Sequence, residues 1–142
     1  MPDSVFVDTN VFVYALDTDE PRKRSIALDV LSNPAHAFVT STQVLAELYV
    51  TVTRKLRRPL PAADAAKRIE ELSNLPVVSV DVALVRAAIA LSEGAHLSYW
   101  DSAVVVAAAS AGCRRLMTED LQHGMDLAGV RIENPFRVLT QQ

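Results

Sequence analysis

The sequence predicts an α/β fold in which helices cover both faces of a largely parallel β-sheet. Short runs rich in β-branched and aromatic residues alternate along the chain with longer helical patterns. The first of these runs, residues 4–8, does not alternate apolar with polar residues, which is typical of a strand buried on both faces. Polar residues follow several of these runs, as expected at the strand ends of a parallel sheet.

Each predicted strand is a short apolar segment bounded by polar, glycine or proline residues. The first contains Val5-Phe6-Val7, and the last stops at Asn134-Pro135. Because proline and asparagine interrupt strand pairing, such residues mark the ends of the segments. The predicted strands are residues 4–8, 37–40, 77–80, 115–118 and 130–133.

The predicted helices begin at recognisable start signals. Pro21 suits the first turn of a helix, Ser41 or Thr42 can cap the next, and Asp81 and Ser98 can cap two later ones. Prolines 34, 59 and 61 separate the helical segments. The predicted helices are residues 21–31, 42–57, 62–72, 82–93 and 98–111.

Composition favours one folded domain spanning residues 1–142. Half of the residues are hydrophobic and 22% are charged, which argues against disorder. The longest wholly apolar stretch, 103–109, is too short to span a bilayer. No basic region precedes the first apolar run, so no signal peptide is expected. Cys113 is the only cysteine, which favours the reducing cytoplasm and excludes an intramolecular disulfide.

The charge distribution excludes a protein that holds nucleic acid by net charge alone. The formal net charge is −3, whereas such proteins are normally basic. Seven of the fourteen basic residues nevertheless lie in two clusters, 22–24 and 54–58. Basic clusters are commonly solvated helix surfaces, but beside an acidic centre they also suit a phosphodiester that is cut and released.

Four carboxylates follow or interrupt apolar segments and are predicted to converge. They are Asp8, Glu47, Asp101 and Asp120. Converging acids repel one another, and a divalent cation is the usual compensation. Oxygen ligands without histidine or cysteine select hard cations, so Mg²⁺ or Mn²⁺ is the expected cofactor.

Each acid also has a structural alternative. Asp8 can cap a turn starting at Thr9, although Asn10 adds a second oxygen as in Asp-x-Asn cation sites. Glu47 can be a solvent-facing residue of an amphipathic helix, on the side that also carries Arg54 and Arg58. If that helix crosses above the strand ends, the two arginines become candidate substrate-binding residues.

Two further acids have similar alternatives. Asp101 can complete a capping box with Ser98, and the helix dipole would then keep it ionised. Glu119 and Asp120 compete for one role, since Thr118 can cap a turn containing both. Adjacent side chains diverge at a strand end, so only one of them is expected to face an ion.

Other chemistries lack the residues they need. His36 and His123 have no partner at metal-ligand spacing, and His96 is at most a supporting residue near Asp101. A phosphatase acting through a nucleophilic aspartate needs a second aspartate two residues on, where this chain has Asn10. A receiver-like switch domain remains a non-enzymatic alternative, but its acceptor aspartate is expected in the middle of the chain, where Asp81 only begins a helix.

In combination, Val-Asp8-Thr9-Asn10, Glu47, Tyr-Trp-Asp101 and Thr118-Glu-Asp120 resemble the PIN-domain ribonucleases, specifically toxins of the VapC type. The segments 118–124, 129–132 and 134–136 look like one bacterial subgroup of these toxins. The resemblance covers nearly the whole chain and depends on the order and spacing of the motifs.

The resemblance implies a three-layer α/β/α sandwich with a mainly parallel sheet of about five strands. It also implies that Asp8, Glu47, Asp101 and Asp120 bind Mg²⁺ or Mn²⁺, with Asn10, Thr118 and Glu119 nearby. The expected activity is endoribonuclease cleavage of RNA by metal-activated water, and the expected partners are a cognate antitoxin and a second copy in a homodimer. A PIN nuclease of RNA maturation is the alternative.

Overall fold

The computed structural model describes residues 3–139 and shows a six-stranded, mostly parallel sheet. The spatial strand order is β3-β2-β1-β4-β6-β5, and only β5 runs antiparallel to its neighbour β6. The strands are β1 (Asp3–Val7), β2 (His36–Ser41), β3 (Val77–Val78), β4 (Arg115–Met117), β5 (Asp126–Leu127) and β6 (Val130–Glu133).

Within residues 3–139, six α-helices accompany the sheet, and they confirm the predicted α/β class. The helices are α1 (Thr9–Leu16), α2 (Pro21–Leu31), α3 (Thr42–Val50), α4 (Ala62–Leu72), α5 (Val82–Ala95) and α6 (Tyr99–Ser110). Helix α6 contacts β2, β4 and β6 and packs against α5, whereas α1 packs against α2 and α3. Within residues 3–139, no helix is both long enough and apolar enough to traverse a bilayer.

Strand β1 lies between β2 and β4 and is buried on both sides. Its residues Val5, Phe6 and Val7 have no exposed surface. Successive strand side chains point to opposite faces, so complete burial of three in a row requires that both faces be covered. The uniform apolar run of this segment therefore correctly predicted a strand that is buried on both faces.

The predicted count of about five strands missed β5. Strand β5 has two residues and joins β6 through a two-residue turn at Ala128 and Gly129, whose φ angles are 52° and 80°. Two positive φ angles are the signature of a type I′ hairpin turn, which matches the twist of the flanking strands. A strand this short leaves no periodic pattern in a sequence.

Two helical predictions also needed correction. No helix was assigned to residues 9–16, where only a turn starting at Thr9 was considered, but they form α1, whose Val11, Phe12, Val13 and Ala15 are all buried. An apolar segment without periodicity does not distinguish a buried helix from a strand. The predicted helix 42–57 ends earlier: α3 stops at Val50 and continues as one π-helical turn, Thr51–Lys55.

The hairpin turn gives a prediction about stability. Ala128→Gly should raise the free energy of unfolding by about 0.5–1 kcal/mol, because a Cβ is disfavoured at positive φ. The same change at Ala66, an exposed position inside α4, should lower it by about 1 kcal/mol. Urea unfolding of both variants measures the difference. Destabilisation of equal size at both positions would contradict the turn assignment.

Candidate metal and phosphodiester site

The site is built at the carboxyl ends of β1 and β4, which are neighbouring parallel strands. Val7 pairs with Met117, so the next residues, Asp8 and Thr118, lie side by side. The Thr118 hydroxyl donates a hydrogen bond to Asp8 Oδ2 at 2.8 Å, and the Thr9 backbone N–H donates to Asp8 Oδ1 at 2.7 Å. Asp8 therefore caps α1 and also points its second oxygen across the sheet edge.

Asn10 connects the first turn of α1 to the turn after β4. Its Nδ2 donates to Thr118 Oγ1 at 3.1 Å and to Asp120 Oδ2 at 3.2 Å. Its Oδ1 accepts from the Glu119 backbone N–H at 3.2 Å. The Asp120 backbone N–H donates to Thr118 Oγ1 at 3.1 Å, so the turn is held from both sides. Asn10 thus connects Asp120 to Thr118, which in turn donates to Asp8.

Glu47 reaches the same site from α3. Its Oε2 accepts from the Thr9 hydroxyl at 2.9 Å, and its Oε1 accepts from Gln43 Nε2 at 3.0 Å. The buried side of α3 is formed by Val44 and Leu48 and continues to Val52, whereas Tyr49 is 38% exposed. Helical periodicity predicts an apolar stripe of Leu45, Leu48, Tyr49, Val52 and Leu56, with Glu47 on the opposite side. The buried side is rotated relative to that prediction, so Glu47 lies at its flank and is half-buried.

Asp101 approaches from the start of α6. Ser98 is the N-cap of this helix and accepts from the Asp101 backbone N–H at 3.1 Å, as predicted. The Asp101 side chain is half-buried, and its negative charge contributes to raising the pKa of Asp120. The four predicted acids are therefore electrostatically connected, although they come from four different elements.

The carboxylates perturb one another, as converging acids should. Burial of Asp8 is the main reason that its pKa is raised to about 6, and the charges of Asp120 and Glu47 add to this. Reduced hydration of its carboxylate raises the pKa of Asp120, and the charges of Asp101, Glu119 and Glu47 raise it further. Hydrogen bonds from Thr118, Thr9 and Asn10 oppose these shifts only in part.

Glu119 and Asp120 diverge, as the strand-end argument predicts. Glu119 Oε1 accepts from the Tyr14 hydroxyl at 2.5 Å, and Glu119 Oε2 forms a 3.0 Å ion pair with Lys23. Lys23 also donates to the Tyr14 hydroxyl at 3.0 Å. Glu119 is thus held by Lys23 and Tyr14, although its charge still raises the pKa of Asp120, whereas Asp120 joins Asn10 and the other acids.

The two arginines named from the sequence are not on one helical face with Glu47. The π-helical turn ends at Lys55, so Arg58 lies beyond the helix, where its Nε is 3.3 Å from Asp19 Oδ1. Arg54 is exposed within the turn. The structural alternative for the two arginines is that they are solvated or paired with nearby acids such as Glu70 or Glu71. Both acids lie on α4, where Glu71 pairs with Arg68.

The histidines lie outside the acidic cluster. His36 is 3.4 Å from Arg115 Nη1, His123 Nδ1 accepts from the Asn134 backbone N–H, and His96 ends α5 in the left-handed conformation. Sequence reasoning missed Thr9 and Gln43, which bind Glu47. Gln43 precedes Glu47 by one helical turn, and that spacing is the signal that could have found it.

The donor set fits a hard divalent cation in type. Carboxylates and hydroxyls supply oxygen ligands, which suit Mg²⁺ or Mn²⁺, whereas Asn10 presents its Nδ2 to the cluster and its Oδ1 to the Glu119 backbone N–H. Within residues 3–139, no three or more Asp, Glu, His or Cys side chains are already arranged as a metal-binding group. Glu47 and Asp120 are instead hydrogen-bonded to Thr9 and Asn10, and these bonds would have to be exchanged, or bridged by water, when an ion binds.

The raised pKa of Asp8 gives a prediction for the metal-free protein. Its pKa is about 6 in the folded state against an ordinary value of 3.8, so the folded state binds more protons between these values. Stability in EDTA should therefore fall as pH rises from about 4 to 6, by about 3 kcal/mol at most from this group. Urea unfolding across this range measures the slope.

Asp8→Asn is the matched variant for that measurement. Asparagine keeps an oxygen for the Thr9 cap and removes the titration, so the variant should gain stability over the native protein as pH rises through this window. A difference between the two proteins that does not change with pH would contradict the raised pKa.

Comparisons with known proteins agree with this architecture. The family model described as PIN domain matches residues 5–124, and a search of curated protein sequences gives no match. The chain is similar to VapBC2 from Rickettsia felis bound to a promoter DNA fragment, with TM-score 0.62 and 19% identity over 92% of this chain and 98% of that one.

Two further solved structures have the same fold. A toxin–antitoxin complex from Klebsiella pneumoniae matches with TM-score 0.67 and 16% identity, covering 92% of this chain and 97% of that one. VapC20 from Mycobacterium tuberculosis, a sarcin–ricin loop cleaving toxin, matches with TM-score 0.58 and 22% identity, covering 79% and 86%. At these identities the structural likeness establishes the fold alone. The family model spans most of the sequence, from β1 through the Thr118–Asp120 turn, and the chain therefore belongs to the PIN domain family.

Proposed function

We propose that this protein is a metal-dependent endoribonuclease and the toxin of a toxin–antitoxin pair. The observation that supports it most is the charge-coupled group of Asp8, Glu47, Asp101 and Asp120 at the carboxyl edge of the sheet. Ligands bind at this edge in open α/β sheets. Membership of the PIN domain family and the likeness to toxin–antitoxin complexes favour a nuclease over a phosphatase or a switch domain.

The residues of the chain divide the proposed work between them. Asp8, Asp101, Asp120 and Glu47 would hold Mg²⁺ or Mn²⁺, and Asn10 and Thr118 would orient Asp8 and Asp120. A bound divalent cation lowers the pKa of a ligated water and offsets the charge that develops on the phosphate. The reaction is attack of water on phosphorus, which leaves 5′-phosphate and 3′-hydroxyl ends and requires no side-chain nucleophile.

Arg54 and Arg58 remain proposed contacts of the RNA backbone. Both are exposed, and the Arg58 side chain keeps 76% of its surface accessible while paired with Asp19. An exposed pair of this kind contributes at most about 1 kcal/mol to stability, so Arg58 can exchange Asp19 for a phosphate at little cost. Pairing with a nearby acid such as Asp19 is the structural alternative to this role.

The proposed partners are a cognate antitoxin and a second copy of the chain. The antitoxin proposal is supported by the VapBC2 and Klebsiella toxin–antitoxin complexes that share this fold. A PIN nuclease that matures RNA is the second candidate, because the same site would serve either role. Co-expression with the product of a small adjacent gene tests the toxin role: stable association and loss of nuclease activity support it, and no effect favours the maturation enzyme.

The central test is cleavage by variants that remove one charge from the cluster. Asp8→Asn and Asp101→Asn should each lower ribonuclease activity at least about a hundredfold, equivalent to about 2.7 kcal/mol of transition-state stabilisation. Purified protein is incubated with total RNA in Mn²⁺ or in EDTA, the cleavage ends are mapped, and circular dichroism checks the fold. Full activity of Asp101→Asn, or native activity in EDTA, would exclude this metal site.

Neighbouring residues on the turn after β4 provide a matched pair. Asp120→Ala should weaken Mn²⁺ binding at least about tenfold, or about 1.4 kcal/mol, because it removes a charged ligand. Glu119→Ala should keep most of the affinity, since Lys23 and Tyr14 engage that carboxylate. Titration calorimetry measures both. The reverse ranking would show that the fourth ligand has been assigned to the wrong acid.

A further inference from the structure

An open groove of about 630 Å³ adjoins the acidic cluster and is not used by the proposed chemistry. Its apolar wall is formed by Ala46, Val50, Val80, Tyr99 and Trp100. Glu47 also lines it, and the same carboxylate accepts from Thr9 inside the cluster. The groove and the cluster therefore share a side chain, so a ligand in the groove lies next to the proposed site of cleavage.

Trp100 is the most unusual feature of this groove. It is 62% exposed, although tryptophan is usually among the more buried residues. Its ring contacts Tyr99 edge to face, with centroids 5.0 Å apart. Its backbone oxygen lies 3.4 Å from Gln43 Nε2, which also donates to Glu47. A large aromatic surface is thus left in solvent while its backbone is connected to a proposed metal ligand.

The groove has the chemistry that an unpaired nucleobase requires. A base has two apolar faces suited to stacking on an aromatic ring, and polar edges that need hydrogen-bonding groups. Thr42, Gln43 and Thr51 line the groove and supply such groups, and Lys55 supplies a cation for the adjoining phosphate. This combination of an aromatic wall and a cation complements one nucleotide of a single-stranded chain.

We propose that the groove binds an unpaired base of the RNA substrate, which stacks on Trp100 and places the neighbouring phosphodiester at the carboxylates. This inference rests on the proposed function and adds a substrate-binding subsite to it. It also gives a reason for the sequence Trp100-Asp101: one residue holds the base, and the next faces the acidic cluster.

The experiment uses Trp100 as its own reporter, because it is the only tryptophan of the chain. Native protein in EDTA is titrated with a six-nucleotide oligoadenylate and with a ribose-phosphate hexamer that lacks bases. Oligoadenylate should quench the tryptophan fluorescence at saturation, and the abasic hexamer should not. Equal quenching by both ligands, or none by either although both bind, would overturn the stacking proposal.

Variants separate base stacking from packing. Trp100→Ala should weaken oligoadenylate binding about tenfold, measured by anisotropy of a labelled oligomer, and should raise KM for cleavage more than it lowers kcat. Trp100→Phe should restore most of the affinity. Ile89→Ala, an exposed apolar position on α5 outside the groove that is 47% exposed, should leave both quantities unchanged. Unaltered affinity and KM in Trp100→Ala would exclude the subsite.

Three further outcomes are decisive. If light scattering shows that Trp100→Ala converts a dimer into monomers while RNA affinity per chain is unchanged, a second copy occupies the groove and the proposal is wrong. If native protein cleaves RNA in Mn²⁺ and Asp8→Asn does not, but Trp100→Ala has the native KM, only the subsite fails. If native protein neither binds nor cleaves RNA, the proposed function fails, and the subsite fails with it.

Discussion

Burial of the Asp8 carboxylate at the end of the central strand constrains much of the surrounding structure. The residue is 5% exposed, and a buried carboxylate is costly unless donors meet it. Its Oδ1 accepts a hydrogen bond from the first backbone N–H of α1, and its Oδ2 accepts one from the hydroxyl of Thr118, the residue that follows β4. The start of α1 and the end of β4 are therefore positioned by the same side chain. Asn10 extends this arrangement to Asp120.

The distribution of charge around Asp8 distinguishes two acidic residues that are adjacent in sequence. Lys23 and Tyr14 satisfy Glu119, so its charge is balanced locally. Asp120 receives an amide donor from Asn10, and its pKa is raised by reduced hydration and by Asp101, Glu119 and Glu47. Glu119 is thus paired with a cation, whereas Asp120 lies among other carboxylates that raise its pKa. A bound cation stabilises the ionised form of such a group of acids, because its charge offsets both the cost of desolvation and the repulsion between the carboxylates.

Helices α3 and α6 each contribute both to the acidic cluster and to the groove beside it. Helix α3 carries Glu47 together with Ala46 and Val50, and the first turn of α6 carries Asp101 together with Trp100. The apolar surface of the groove therefore begins at Ala46 and Trp100, which are the immediate sequence neighbours of Glu47 and Asp101. This proximity is a property of two helix segments and does not depend on a flexible loop.

The sequence by itself determined the fold class and most element positions, and it predicted the four acids as a metal site. A strand that is buried on both faces of the sheet appears in the sequence as a uniform apolar run. The helix caps Ser41, Asp81 and Ser98 each accept a hydrogen bond from the backbone N–H three residues further on. Local rules reach these features because their causes lie within a few residues of chain. The register that places Asp8 beside Thr118 depends instead on the pairing of β1 with β4, which are far apart in sequence.

Only the tertiary structure decided which partners each side chain meets. Glu47 binds Thr9, 38 positions away, and Lys23 binds Glu119, 96 positions away; no periodicity encodes such pairs. Helix α1 was missed because its apolar sequence suits a buried helix as well as a strand, and packing against α2 and α3 selects the helix. Arg58 was expected on the same helical face as Glu47, but the π-helical turn ends the helix at Lys55 and leaves Arg58 beside Asp19. Long-range contacts of this kind depend on where the chain returns in space, which composition and spacing do not specify.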